Sequence, residues 1–302
     1  MNIFTIILTI LGLGLFEVVS SIDNAIINAE VLGTMQPKAR NWFLVYGLFF
    51  AVVVVRGVLP WLIVWAANTQ LGPIGALTAT FSNDRSVIEA IDNSSPILLA
   101  GGGTFLLFLF FHWLFLEPKQ FGLRGERFIS SQGVWFFAVV SILLSCIVWF
   151  ALKINPMMAF GAVVGSTAFF ITHGFKQNAE QEEKNLLKAG RSDVSKIFYL
   201  EAIDATFSID GVLGAFAFTL SVPLILLGNG LGAIVLRHLT STNIERIKKY
   251  RFLKNGAMYS ILFLGLIMLF DSFGLKSPSW LSPVVTFAII GYFFWKSKIE
   301  IV

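Results

Sequence analysis

About nine apolar stretches, each of ~17 residues or more, run along this chain near 3–33, 42–66, 96–116, 133–152, 156–174, 197–218, 222–240, 256–272 and 281–296. Lipid offers no hydrogen-bond partner to a backbone N–H or C=O, so segments of that length must satisfy themselves as helices. Composition agrees. Of 302 residues, 56% are hydrophobic and only 13% are charged, against about a quarter charged in a soluble domain. The expected fold is an all-α polytopic membrane protein of about nine transmembrane helices, one domain over 1–302, with the lipid bilayer as its first partner. So apolar a chain is not a nucleic-acid binder. The first stretch lacks a basic n-region and carries Glu17 and Asp23, so it reads as a retained span rather than a cleaved signal peptide.

Basic residues set the expected orientation. The loops after the odd-numbered stretches hold Lys38 and Arg40, then Lys119, Arg124 and Arg127, then the segments 176–196 and 237–254, and finally Lys296 and Lys298. The other side has Arg85, Lys153 and Lys276 alone. This asymmetry places the N-terminus outside and the C-terminus in the cytoplasm. Arg56 falls inside the second stretch and requires an anionic partner there.

Two of the stretches carry nearly the same acidic motif. Glu17-Val-Val-Ser-Ser-Ile-Asp23 aligns with Asp204-Ala-Thr-Phe-Ser-Ile-Asp210, matching Glu17 to Asp204, Ser21 to Ser208 and Asp23 to Asp210. An ionised carboxylate at bilayer depth costs at least ~2.5 kcal/mol on insertion scales, so it is rare unless it binds or moves something. With an odd number of crossings between the copies, they form an inverted repeat: 1–116 and 197–302, joined by 117–196. Residues six apart on a helix point about 120° from each other. Either each motif helix is wrapped by protein on several sides, or it unwinds within the motif and frees carbonyl oxygens.

Glu17, Asp23, Glu201, Asp204 and Asp210 are the candidate metal ligands. Asn24, Asn28, Ser21, Thr206, Ser208 and Asn229 are neutral oxygens that could complete the shell, and Arg56 is a candidate charge partner. A hard oxygen set of this kind suits Mn²⁺, Ca²⁺ or Mg²⁺. The bland reading of the five acids is helix–helix glue, which Ser, Thr and Asn would supply at lower cost. His112, His173 and His238 are scattered and read as capping or interfacial groups, and Cys146 reads as a buried structural cysteine. The glycine runs at 101–103 and 228–232 read as close helix packing.

At these residues the chain resembles the TerC family of integral-membrane proteins, linked to tellurium resistance and placed with the LysE-type transporter superfamily. Glu17-x5-Asp23-Asn24-Ala25 resembles that family's first acidic element. Glu201-Ala-Ile-Asp204-Ala-Thr-Phe207-Ser208-Ile-Asp210 resembles its second, and Gly228-Asn229-Gly230 through Leu236-Arg237 is similar to the segment after it. Gly211-Val212-Leu213-Gly214 stands where the common family has Ser-Ile-Pro, which points to a related branch known by an unknown-function label. The resemblance implies manganese as the cargo and a prokaryotic inner membrane as the location.

The leading expectation is a secondary transporter that exports a divalent cation, with protons as a candidate exchange partner; it is not an enzyme. A metal-binding sensor or assembly subunit without flux is the main alternative. An intramembrane aspartyl hydrolase built on Asp23 and Asp210 is a third. Any of these is compatible with a homo-oligomer.

Overall fold

Capping groups and turns set the helix limits. Asn2 Oδ1 accepts the Thr5 N–H at 2.8 Å and starts the first helix. Asn155 Oδ1 accepts the Met157 N–H at 2.9 Å, with Pro156 at the first helical position of the next long helix. Gly274, at φ 91°, takes the left-handed conformation that ends the helix finishing at Ser272.

The computed structural model describes residues 2–78, 85–188, 192–247 and 249–301, and no strand occurs among the described residues. Ten longer helices follow one another. They are α1 (Ile3–Ser20), α2 (Ile22–Gly33), α3 (Pro37–Ala67), α4 (Arg85–Leu116), α5 (Phe136–Leu152), α6 (Pro156–Lys188), α7 (Asp193–Ala215), α8 (Val222–Ile247), α9 (Leu253–Ser272) and α10 (Leu281–Ile301). Within α3 the winding is π-helical over Phe43–Gly47 and Ala51–Val58.

Seven of the described helices (α1, α3, α4, α5, α6, α8 and α9) contain segments long and apolar enough to cross a bilayer, which marks the chain as a membrane protein. Helices α7 and α10 are of similar length but more polar. The first carries Glu201, Asp204 and Asp210; the second ends in Lys296, Lys298 and Glu300.

Lipid is as apolar as leucine, so helices in a membrane associate by close packing rather than by a hydrophobic gain. Glycines supply that packing here. A methyl group at Gly228 would come within 2.5 Å of Leu13 Cβ, and one at Gly232 within 2.6 Å of Glu17 Cβ, so α8 presses its backbone against α1. On α4, Gly101 meets the Gly161 carbonyl of α6, and Gly103 meets Leu269 and the Gly265 carbonyl of α9. Close packing is thus what both glycine runs do. The largest interfaces are α4 with α6, α4 with α9, and α1 with α8. Phe105, Phe108, Trp113 and Phe169 fill the core between them.

Several boundaries differ from the sequence reading. The stretch 3–33 is two helices meeting at Ser21, where φ is −98° and ψ is 9°. The polar segment before residue 96 is helical from Arg85, and α6 runs past the bilayer-length segment to Lys188. Cys146 is exposed rather than buried, on an α5 face shared with Ile142, Trp149 and Phe150. In a membrane helix an apolar run faces lipid as readily as protein, so apolarity alone did not place it.

Candidate functional site

Glu17 is fully enclosed, at 0% exposure. Its Oε1 atom accepts three hydrogen bonds: from Arg56 Nη2 at 2.6 Å, Arg56 Nε at 2.9 Å and Ser21 Oγ at 3.0 Å. Its Oε2 atom accepts none and lies against Gly211, where a methyl group would come within 2.8 Å of it. The first motif copy turns at Ser21 without unravelling: the Ser21 N–H still reaches Glu17 O at 3.1 Å, and Ala25 N reaches Ser21 O at 3.0 Å.

Arg56 extends from the π-helical part of α3 and is 2% exposed. Its Nη1 donates to Ala51 O at 3.2 Å and lies 3.5 Å from Asp204 Oδ2. The other Asp204 oxygen accepts from Asn24 Nδ2 at 2.5 Å. Arg56 therefore pairs with both motif carboxylates that the sequence alignment makes equivalent, Glu17 and Asp204. π-Helical turns are rare and recur at functional sites.

Beside this ion pair is a cavity of about 30 Å³ lined by Asn24, Asn28, Arg56, Asp204 and Arg237. It is the size of one water molecule or one dehydrated ion. Asn24 Oδ1 and Asn28 Oδ1 are buried without a hydrogen-bond partner. The same holds for both carboxylate oxygens of Glu201, which lies against Gly47. Arg237, near Glu201, donates to Phe43 O at 2.9 Å and stacks its guanidinium 4.2 Å from the Phe43 ring.

Asp210 faces elsewhere. Helix α7 is continuous through the second motif copy, so Asp204 and Asp210 project in different directions, each against a different neighbour. Asp210 Oδ2 pairs with Lys176 of α6, while its Oδ1 has no partner. The pair lines a second cavity, of about 860 Å³, which also holds His112, His173, Glu117 and Lys254. The His112 and His173 rings sit 3.9 Å apart, Gln177 Nε2 is 3.0 Å from His173 Nε2, and His112 Nδ1 is 3.4 Å from Glu117 Oε1. Lys254 Nζ lies 2.8 Å from Glu117 Oε2. Burial would raise the Glu117 carboxyl, which stands just past the end of α4. The neighbouring His112 and Lys254 outweigh it and hold the group well below the usual carboxylate range. Two of the scattered histidines are thus neighbours, a contact that no local pattern in the chain announces.

Of the candidate ligands, Glu17, Asp204, Asn24 and Asn28 come together around Arg56, with Glu201 beside Arg237. Asp210 lies in the second compartment. The Asp23 side chain lies outside the described residues. Thr206 spends its hydroxyl on Ala202 O at 2.8 Å. Ser208 and Asn229 are buried with unpartnered polar atoms. Among the described residues, no three of His, Cys, Asp and Glu are grouped so as to hold a metal ion. Where the sequence suggests a cluster of acids, the fold interleaves them with Arg56, Arg237 and Lys176.

Residues 22–301 match the family described as protein of unknown function, DUF475. The chain belongs to the DUF475 family. No curated protein and no solved structure matches it. The DUF475 match takes in the second acidic motif, Arg56, the small cavity and all of the larger one but Val19 and Ser20, and begins just after Glu17 and Ser21.

Proposed function

We propose that this DUF475 protein is a secondary transporter that exports a divalent cation through an intramembrane carboxylate site. The observation that carries the reading is a set of oxygens that lack a donor. Asn24 Oδ1 and Asn28 Oδ1 line the small cavity beside Arg56 and Asp204 without hydrogen bonds, and nearby Glu17 Oε2, on a helix of bilayer length, and both Glu201 oxygens are likewise buried without hydrogen bonds. A buried acceptor left unpaired costs about 1–3 kcal/mol, and more if charged. A transiting cation is the partner such a set lacks. Mn²⁺ is favoured by the resemblance to the TerC family. Ca²⁺ and Mg²⁺ suit the same all-oxygen chemistry, and protons, which compete with a metal for the same carboxylates, are the candidate exchange partner.

The architecture of the proposal is nine crossings, counting α1 with α2 as one and including α7 and α10, with the N-terminus outside. The packing supports an inverted repeat in which α1 corresponds to α7, α3 to α8 and α4 to α9. Helix α1 packs on α8, the corresponding α7 packs on α3, and α4 packs directly on its counterpart α9. The equivalent acids Glu17 and Asp204 meet on one arginine. Repeat-built transporters place substrate sites at such a junction.

The test is metal flux into proteoliposomes, with Mn²⁺, Ca²⁺ and Mg²⁺ offered separately to the wild-type protein and to Asp204→Asn and Asp210→Asn variants shown to be folded. Mn²⁺ flux abolished by Asp204→Asn is the expected result. Flux undiminished by either change overturns the carboxylate site. Binding of metal without flux moves the protein to the sensor or assembly reading.

A further inference from the structure

We propose that Arg56 is a tethered stand-in for the transported cation: it holds Glu17 and Asp204 together in the unloaded site, and the arriving cation must displace it. The inference rests on the transporter reading and adds to it the identity of the competing group.

Four observations support it. The guanidinium lies between the two carboxylates, with no metal ligand standing between it and either one. Its grip is uneven. Nε and Nη2 both go to Glu17 Oε1, Ser21 adds a third donor to that same atom, and Oε2 receives nothing. A guanidinium serving as a permanent buried partner would be expected to engage both oxygens fork to fork, the stronger bidentate geometry. Contact with Asp204 is looser still, at 3.5 Å. Next to the guanidinium is the cavity of about 30 Å³, lined by the two unpartnered asparagine carbonyls, so an ion has a place to land before the arginine leaves.

The fourth observation concerns the element that carries Arg56. Residues Ala51–Val58 are π-helical, with α-helical turns on both sides. A π turn holds one residue more than an α turn allows. Winding that residue out turns the rest of the helix by about 100° around its axis. Such a rotation would carry the Arg56 side chain off the carboxylates without breaking α3. Charge favours the exchange as well: a guanidinium brings one positive charge to two carboxylates, and a divalent cation brings two. Displacement then couples occupancy of the site to the conformation of α3, so that a loaded site and an empty one are different structures.

The inference predicts that removing Arg56 strengthens cation binding, the opposite of what removing a structural ion-pair partner or a ligand would do. Mn²⁺ is titrated calorimetrically into the full-length protein in detergent, wild type against Arg56→Gln, with gel filtration and circular dichroism reporting the fold. The expected result is binding at least about tenfold tighter in the variant, because the fraction of sites closed by the arginine is released. In Arg56→Ala, free guanidinium ion should compete with Mn²⁺, whereas in the wild-type protein it should not. Should Arg56→Gln fail to fold, Arg56→Lys decides. It keeps the charge but loses the fork, and binding tighter than wild type supports the inference. Wild-type flux with unchanged or weaker binding in a folded Arg56 variant overturns it and leaves the transporter reading standing. Absence of divalent-cation binding and flux in wild type and variants alike removes both.

Discussion

In the first copy of the acidic motif the helix turns at Ser21, and Glu17 is sealed beneath three donors on a single oxygen. In the second copy α7 runs straight through, Asp204 shares the arginine, and Asp210 pairs with a lysine on the wall of a cavity of about 860 Å³. Nearly identical sequences therefore serve two different compartments. The small one is lined by a guanidinium, which keeps its charge at any accessible pH. The large one has an ammonium, that of Lys176, on its wall beside Asp210. The fold has turned a repeat into a division: one side small and organised around a single guanidinium, the other roomy and lined with imidazoles.

The largest effect should come from breaking the two ion pairs and comparing them. Arg56→Ala leaves Glu17 as a buried carboxylate without its cation and should cost about 3–5 kcal/mol in thermal unfolding in detergent. Adding Glu17→Gln should recover much of that loss. Lys176→Gln with Asp210→Asn should show a smaller coupling, about 1 kcal/mol, because both side chains are 14% exposed and the cavity admits water. Equal couplings at the two sites would erase the distinction drawn between the compartments.

A smaller effect should come from Gly211→Ala. The added methyl falls 2.8 Å from Glu17 Oε2, and overpacking of that kind costs about 1–3 kcal/mol. Gly33→Ala meets nothing within 4 Å and serves as the control, neutral or slightly stabilising. Smallest of all is the serine comparison. Ser21→Ala removes a hydrogen bond to Glu17 and should cost about 1 kcal/mol, while Ser208→Ala at the equivalent position removes none that the structure shows and should be close to neutral. A Ser208 effect as large as the Ser21 effect would mean that its hydroxyl has a partner in the working protein.

Local rules govern the legible part of this molecule. Apolar length marked the helices, Gly228 and Gly232 marked a tight seam, and Arg56 inside an apolar stretch demanded an anion, which it finds twice over. Six-residue spacing correctly implied that Asp204 and Asp210 could not share a face, and wrapping by protein on several sides proved to be the solution on α7. The hidden part depends on distance or on backbone state. His112 and His173 belong to different helices, and nothing in either segment encodes their approach. The π winding of α3 has no side-chain signature, so the orientation of Arg56 could not be read from an α-helical wheel. Gly161 and Gly165 do carry a small-xxx-small pattern, and reading it would have foretold the seam between α6 and α4.

That seam has a mechanical consequence. Helix α4 has 32 residues, a rod of about 48 Å, and near its middle Gly101 touches α6 with hardly more than a hydrogen atom between the backbones. A contact so thin acts as a fulcrum. Thickening it by one carbon at Gly161, where a methyl group would meet the Ile97 carbonyl at 2.6 Å, must tip the rod. The displacement grows toward the end that carries His112 and Trp113. A single carbon near the middle of the helix would thus be read out as a change in the wall of the larger cavity, which His112 lines, far from where it was added.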